Sequence, residues 1–248
     1  MGKSFEQNPQ PYIRLGGLLY LLIIVLGLFG EVFARGSLII PGDVQATAQG
    51  IAASRLLWAG GLAGDLLMQL CDLPVIVIFY LLLRPVNAGL NLTATLMNLV
   101  QTAVLVANKL TLILPLLLLG GAGYLAAIPP EQLHALAYTA INLHGFGFAL
   151  GLIFFGAACL LRGYLIYQSG YFPKLIGLLL ALAGFCYLLN SFALILAPSL
   201  NDSLVPAIFA PILLGELSLA LWMTIKGVNM QRWSERREST GPVQAQIS

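Results

Sequence analysis

The sequence predicts an all-α protein, a polytopic transmembrane helical bundle of six spans with both termini cytoplasmic. Three observations lead there. Of the 248 residues, 59% are apolar and 9% are charged, against roughly 25% charged in an ordinary soluble domain. Mean hydropathy is +0.90. Charge-poor apolar windows of about 20 residues, the length that crosses a hydrocarbon core, recur along the chain with polar, Pro- or Gly-bearing stretches between them. One large soluble core is excluded, because it would still need a charged surface that this composition does not supply.

Residues 1–12, MGKSFEQNPQPY, are polar, contain two prolines and predict a short flexible tail. Residues 13–33 are too long for a signal-peptide core and lack an A-x-A cleavage site after them, so they form a retained first span. Arg14 marks one of its interfaces, and Glu31 and Arg35 the other. In residues 36–57, Pro41 and Gly42 mark a turn and Asp43 is placed to cap a short interfacial helix whose weak apolar face is Val44, Ala48, Ile51 and Ala52; a partly ordered loop is the alternative.

The second span starts near Trp58 and stops at Arg84-Pro85. A third covers residues 92–119, with Pro115 expected to kink or end it. Glycines 120, 121 and 123 and then Pro129-Pro130 open a connection. Beyond it the chain reads as one long tilted helix or as a surface helix followed by a fourth span at residues 140–161, ended by Arg162. The fifth span is 173–197, the loop 199–205 carries Asn201 and Asp202, and the sixth span is 206–226. One membrane domain, 13–228, therefore lies between the N-terminal tail and a basic, partly disordered tail at 229–248. In that tail Trp233 with Arg232, Arg236 and Arg237 is suited either to setting topology or to meeting anionic lipid.

Six spans place Lys3, Arg14, Arg84, Arg162, Lys174, Lys226, Arg232, Arg236 and Arg237 on one side and Arg35 and Arg55 on the other. Nine against two is a positive-inside bias that puts both termini in the cytoplasm, in a cytoplasmic (inner) membrane. A seventh helix would move the basic C-terminus to the wrong side.

Within the second span Asp65, Gln69 and Asp72 fall at i, i+4 and i+7 and share a helix face. A charge there costs roughly 2.5 to 3.5 kcal/mol unless it meets a partner, water or protein interior. Asp65 lies about seven residues below the outer end of span two and Lys109 about ten below that of span three, so their depths nearly match. Lys109 is expected to neutralise Asp65, or to alternate between Asp65 and Asp72. Glu216 falls near the middle of span six and His144 in the outer part of span four, with Asn108, Asn142 and Asn190 as further polar groups. Three carboxylates then face one cation. Either an architectural ion pair sets helix packing, or these residues line a polar cavity for a ligand, ion or proton. Protonation of Asp72 or Glu216 would remove the charge excess without a bound ion.

Other chemistries find less in the residues. Cys71, Cys159 and Cys186 lie in apolar runs, which implies neither a disulfide framework nor a zinc site. His134 and His144 are ten residues apart and form no H-x-x-x-H, so no metal site is expected. No G-x-S-x-G or nucleotide-binding motif occurs; no catalytic residue is assigned and no cofactor is specified. A nucleic-acid role would need a larger basic surface. Glycines 16, 17, 60, 61, 64, 147 and 151 read as close-packing positions, the last two forming a small face beside His144.

Several stretches resemble a bacterial membrane-protein family known as domain of unknown function 4386. They are RLGGLLYLLIIVLGLFGE (14–31), IIPGD (39–43), GDLLMQLCD (64–72), LLLRPVN (81–87), LHGFGFALGLIFFG (143–156), GYLIYQSGYFPKLIGLLL (163–180) and GELSLALWMTIKGVN (215–229). The resemblance implies an integral membrane protein of about six helices and supplies no activity. It also implies that the stripe and the loop from Ser169 to Lys174 belong to a recurring architecture.

Three functions stay open on these residues. The first is a protein that binds, senses or transports a small lipophilic or ionic ligand through Asp65, Gln69, Asp72, Lys109, His144 and Glu216. The second is a membrane-embedded enzyme acting on a lipid or isoprenoid, with a carboxylate and His144 as acid and base. The third is a structural or assembly subunit. The partners expected are membrane lipids, a small lipophilic ligand, and a second copy or another membrane protein.

Overall fold

The computed structural model describes residues 2–244, with side chains for residues 5–199 and 207–239. Among the described residues, besides a 3-10 turn at Gly123–Leu125, nine longer helices form: α1 (Gly2–Gln7), α2 (Gln10–Leu38), α3 (Val44–Ala53), α4 (Arg55–Leu83), α5 (Ala88–Leu118), α6 (Pro130–Ser169), α7 (Lys174–Leu196), α8 (Pro198–Ile225) and α9 (Met230–Gln244). Six of them, α2 and α4 to α8, are long and apolar enough to span a membrane. Helices satisfy their own backbone groups, which lipid cannot do.

The six spans close into a ring. Each packs against the next in sequence, α8 returns to α2, and α4 also meets α6. Small residues permit this. A Cβ on Gly17 of α2 would lie 2.5 Å from the Thr224 backbone nitrogen of α8, so the ring closes with backbones nearly touching. Gly163 and Gly177 do the same for α6 against α7, and Gly215 for α8 against α7. Gly16, Gly61, Gly147 and Gly151 are close-packed as expected, whereas Gly60 faces open space and Gly64 makes only ordinary contact. Apolar side chains such as Leu18, Val25, Leu70, Leu110, Leu178 and Phe185 remain exposed on the outside of the ring.

Helices α3 and α5 start on side-chain caps, the first of them expected from the sequence. The Asp43 side chain accepts from the Ala46 N–H at 2.8 Å, so the short helix α3 forms and the loop alternative does not. Asn87 caps α5 in the same way through Leu90 N–H at 3.0 Å. Pro115 does not end α5, which runs to Leu118.

Other expectations need correction. The fourth span is one 40-residue helix, and Arg162 does not end it; the helix continues to Ser169. The loop placed at 199–205 is helical backbone within α8, while the side chains of Asn201 and Asp202 lie outside the described residues. Each tail contains a helix, α1 and α9. Phe5 of α1 packs edge-on against Trp233 of α9, and the two are 1% and 2% exposed. Arg232 donates to the Gly170 carbonyl, and Arg237 to that of Glu6, each at 3.0 Å. Trp233 is thus a packing residue and no lipid anchor. Tyr171, in the α6–α7 loop, donates its hydroxyl to the Leu82 carbonyl at 2.7 Å, and burial raises its pKa so that the proton stays in place. Residues 245–248, where disorder is expected, lie outside the described residues.

The terminal helices α1 and α9 pack together at one end of the ring, called the basic end below. Arg162 and Arg35 are buried inside the bundle and leave the topological count, which becomes eight cations against one, Arg55. The bias survives.

Candidate functional site

The polar stripe on α4 divides between two layers. Asp65 belongs to the layer nearer the far end. Its Oδ2 accepts from Arg35 Nη1 at 2.7 Å and from Lys109 Nζ at 2.8 Å, and its Oδ1 accepts from Arg35 Nη2 at 3.3 Å. Asp65 and Lys109 are 1% and 2% exposed. The pairing expected from matching depths is formed, with a second cation that the sequence reading placed at an interface. Arg35 enters from the π-helical turn Phe29–Arg35 of α2 and is held from behind by Glu31, whose Oε2 accepts from Nε at 2.9 Å. Gly30 on the same turn has no side chain where Asp65 Oδ1 sits. Any added Cβ would collide with it.

His144 adjoins this layer without joining its ion pairs. Its Nδ1 accepts from Asn108 Nδ2 at 3.0 Å, and the same amide donates to the His144 carbonyl at 2.9 Å. Thr111 Oγ1 lies 3.3 Å from Nδ1. Gly147 makes room for the Asn108 side chain, so the HGFG stretch admits a side chain of α5. His134 lies elsewhere, in a cleft between α3, the end of α5 and the start of α6.

Asp72 belongs to a second layer. Its Oδ2 accepts from Thr102 Oγ1 at 2.8 Å and from Asn98 Nδ2 at 3.0 Å, and that amide also donates to Gln101 Oε1 at 2.8 Å. Asn98 Oδ1 in turn accepts from Arg162 Nη1 of α6. The guanidinium carbon stands 5.0 Å from the centre of the Phe79 ring, a cation–π contact. On the remaining spans, Tyr187 of α7 donates to Glu216 Oε1 of α8 at 2.5 Å. Tyr20 of α2 lies edge-on to Phe79 and within electrostatic reach of Glu216, Arg162 and Asp72. Every span of the ring therefore contributes a polar side chain.

Heights agree with this division. Counted from the basic ends of their helices, Tyr20, Asp72, Asn98 and Glu216 stand about 14–17 Å up and Tyr187 about 20 Å. Arg162 starts about 10 Å up, and a helical side chain leans toward the helix N-terminus, here toward the layer. The layer thus lies near the middle of a ~30 Å hydrocarbon core. Asp65 stands about 27 Å up, roughly 10 Å beyond it. Gln69 falls between, with its buried Oε1 unpartnered.

Arg162 is the unusual member. It is 4% exposed, and its Nε and Nη2 have no hydrogen-bond partner. Among the described residues, neither Asp72 nor Glu216 comes within 4.0 Å of the guanidinium. Asp72, Tyr187 and Glu216 are each only partly buried. The side chains of this layer could hold an anion or a polar headgroup; no three His, Cys, Asp or Glu among the described residues converge on a cation.

The family described as Domain of unknown function (DUF4386) matches residues 15–227 of the chain. The chain belongs to that family. Both layers of this DUF4386 protein fall inside the matched stretch, and α1 and α9 fall outside it. It is similar to an uncharacterized protein from Archaeoglobus fulgidus, 28% identical over 169 residues that cover 67% of this chain and 83% of that protein. That relative is archaeal, so the resemblance does not fix a bacterial origin. No solved structure matches.

The sequence reading missed Arg35, Arg162, Tyr20, Asn98 acting as a bridge, and Tyr187. A signal existed for Arg162. LIYQS follows it before Gly170, leaving two turns of helix in which an end-of-span cation would not be needed.

Proposed function

We propose that this DUF4386 protein is a non-catalytic binding protein, a carrier or a sensor, that takes a small lipophilic or ionic ligand into the polar layer at the centre of its ring. The observation that carries this reading is the buried, unpartnered Nε and Nη2 of Arg162. A buried donor left without an acceptor costs about 1–3 kcal/mol, and more when it is charged. An occupant that accepts from both removes that cost. The Asp65 ion pairs offer no comparable vacancy, since their hydrogen bonds are made within the chain; they support the architecture around the layer.

The protein acts in the cytoplasmic membrane with its basic end inside, following the eight-to-one charge bias. Lipid is its partner along the exposed apolar flanks. The enzymatic alternative draws no support from His144, whose hydrogen-bond partners Asn108 and Thr111 include no carboxylate.

Native mass spectrometry of the protein released from lipid nanodiscs tests the reading. A retained small molecule is expected on the natural protein and on Lys109→Met, and its loss is expected on Arg162→Met. Identical spectra for the natural protein and Arg162→Met would refute it.

A further inference from the structure

The two free donors of Arg162 are not scattered. Nη1 is spent on Asn98, while Nε and Nη2 form one complete edge of the planar guanidinium, whose two N–H bonds run parallel. That edge is the bidentate receptor for two oxygens about 2.2 Å apart on one centre, as in a carboxylate. The guanidinium is also immobilised beforehand. Asn98 is fixed by Asp72 and Gln101, and the Phe79 ring covers one face. A receptor held in place before the ligand arrives loses little entropy on binding.

Charge disfavours a doubly charged anion. The titratable and polar groups facing the guanidinium are Tyr20 on α2, Asp72 on α4, Asn98 on α5 and Cys159 on its own helix, with the Tyr187–Glu216 pair of α7 and α8 elsewhere in the same layer. Against one cation stand two carboxyl groups. With both protonated, a singly charged ligand makes the layer neutral. A doubly charged one never does, and in a low-dielectric interior the uncompensated charge is expensive.

We propose that the Nε–Nη2 edge of Arg162 is the recognition site for a monocarboxylate, which deepens the reading of a ligand-binding layer and rests on it. The carboxylate lies in the guanidinium plane, and its organic part points away from the guanidinium toward the partly buried side chains of the layer. A small water-borne acid and a membrane-dissolved fatty acid both present this head, and the two sources are separated by experiment.

Thermal unfolding of the nanodisc-embedded full chain tests the assignment with acetate and octanoate as the two sources, and phosphate, sulfate and octanol as controls. Stabilisation by octanoate alone identifies a membrane-borne acid, and stabilisation by acetate as well identifies a water-borne one; both support the proposal. Arg162→Lys retains the charge but loses the edge, and should weaken the apparent carboxylate affinity by about tenfold or more. If that variant does not fold, infrared spectra of ¹³C-carboxylate octanoate on the natural protein replace it. A shift of the two carboxylate stretching bands from their values in water supports the bidentate contact, and unshifted bands overturn it. Stabilisation by phosphate, sulfate or octanol without the carboxylates overturns the monocarboxylate assignment and leaves the binding layer standing. No stabilisation by any of the five overturns the assignment and the binding reading together.

Discussion

Asp65→Asn should be the most damaging polar substitution in the layer near the far end, and a double-mutant cycle with Lys109 shows why. The Asp65 carboxylate serves Arg35 at 2.7 Å and Lys109 at 2.8 Å, and both Asp65 and Lys109 are essentially inaccessible. Removing its charge leaves a buried ammonium without a counterion and a guanidinium that keeps only Glu31, whose side chain is 67% exposed. Breaking a buried pair from one side costs about 3–5 kcal/mol, because the other charge stays buried. Lys109→Met should cost less, about 1–2 kcal/mol, since Asp65 retains two bonds from Arg35. The double variant removes one anion and one cation together. Its loss should fall short of the sum by about 1–3 kcal/mol, the range for directly paired residues. Equilibrium unfolding in bicelles measures all four corners of the cycle. Losses that add to within about 0.5 kcal/mol would refute the pair as an energetic unit.

Gly30→Ala places a methyl group on Asp65 Oδ1 and should destabilise by about 1–3 kcal/mol in the same unfolding assay, an effect that Gly60→Ala, in open space, should lack. Trp233→Ala removes a 2%-exposed ring packed on Phe5 and should release α9 from α1, read as faster hydrogen exchange in both helices while α6 and α7 stay protected. A fluorescent protein fused after Ser248 should fluoresce, as it does when folded in the cytoplasm, and an alkaline phosphatase at the same point should stay inactive. Active phosphatase would reverse the orientation.

Hydropathy made the spans legible because lipid demands it: a crossing helix needs length and apolarity, and both are local properties of the chain. Asp43 was legible as a cap for the same reason, since the acceptor and the N–H that it meets are three residues apart, and Asn87, which the sequence reading did not name as a cap, makes the same local bond. The pairing of Asp65 with Lys109 could be read from depth because adjacent antiparallel helices convert residue counts into heights. Arg162 and Arg35 could not be read in this way. Arg35 lies near the edge of a hydropathy window, where a cation that reaches outward to water and one that reaches inward to a partner leave the same trace in sequence, and for Arg162 the one local sign is the LIYQS that continues its helix. The π-helical turn that brings in Arg35 and the ring closure that sets Tyr20 beside α8 depend on packing between distant segments. For the same reason the single stripe of Asp65, Gln69 and Asp72 gave no sign that its two carboxylates serve different layers.

A structure determined in lipid, at a resolution that shows ordered small molecules, tests the central claim most directly. Density of a planar, carboxylate-sized group about 2.7–3.2 Å from both Nε and Nη2 of Arg162 is the predicted result. A guanidinium edge closed by the side chain of Asp72 or Glu216, with no occupant between the helices, would contradict it.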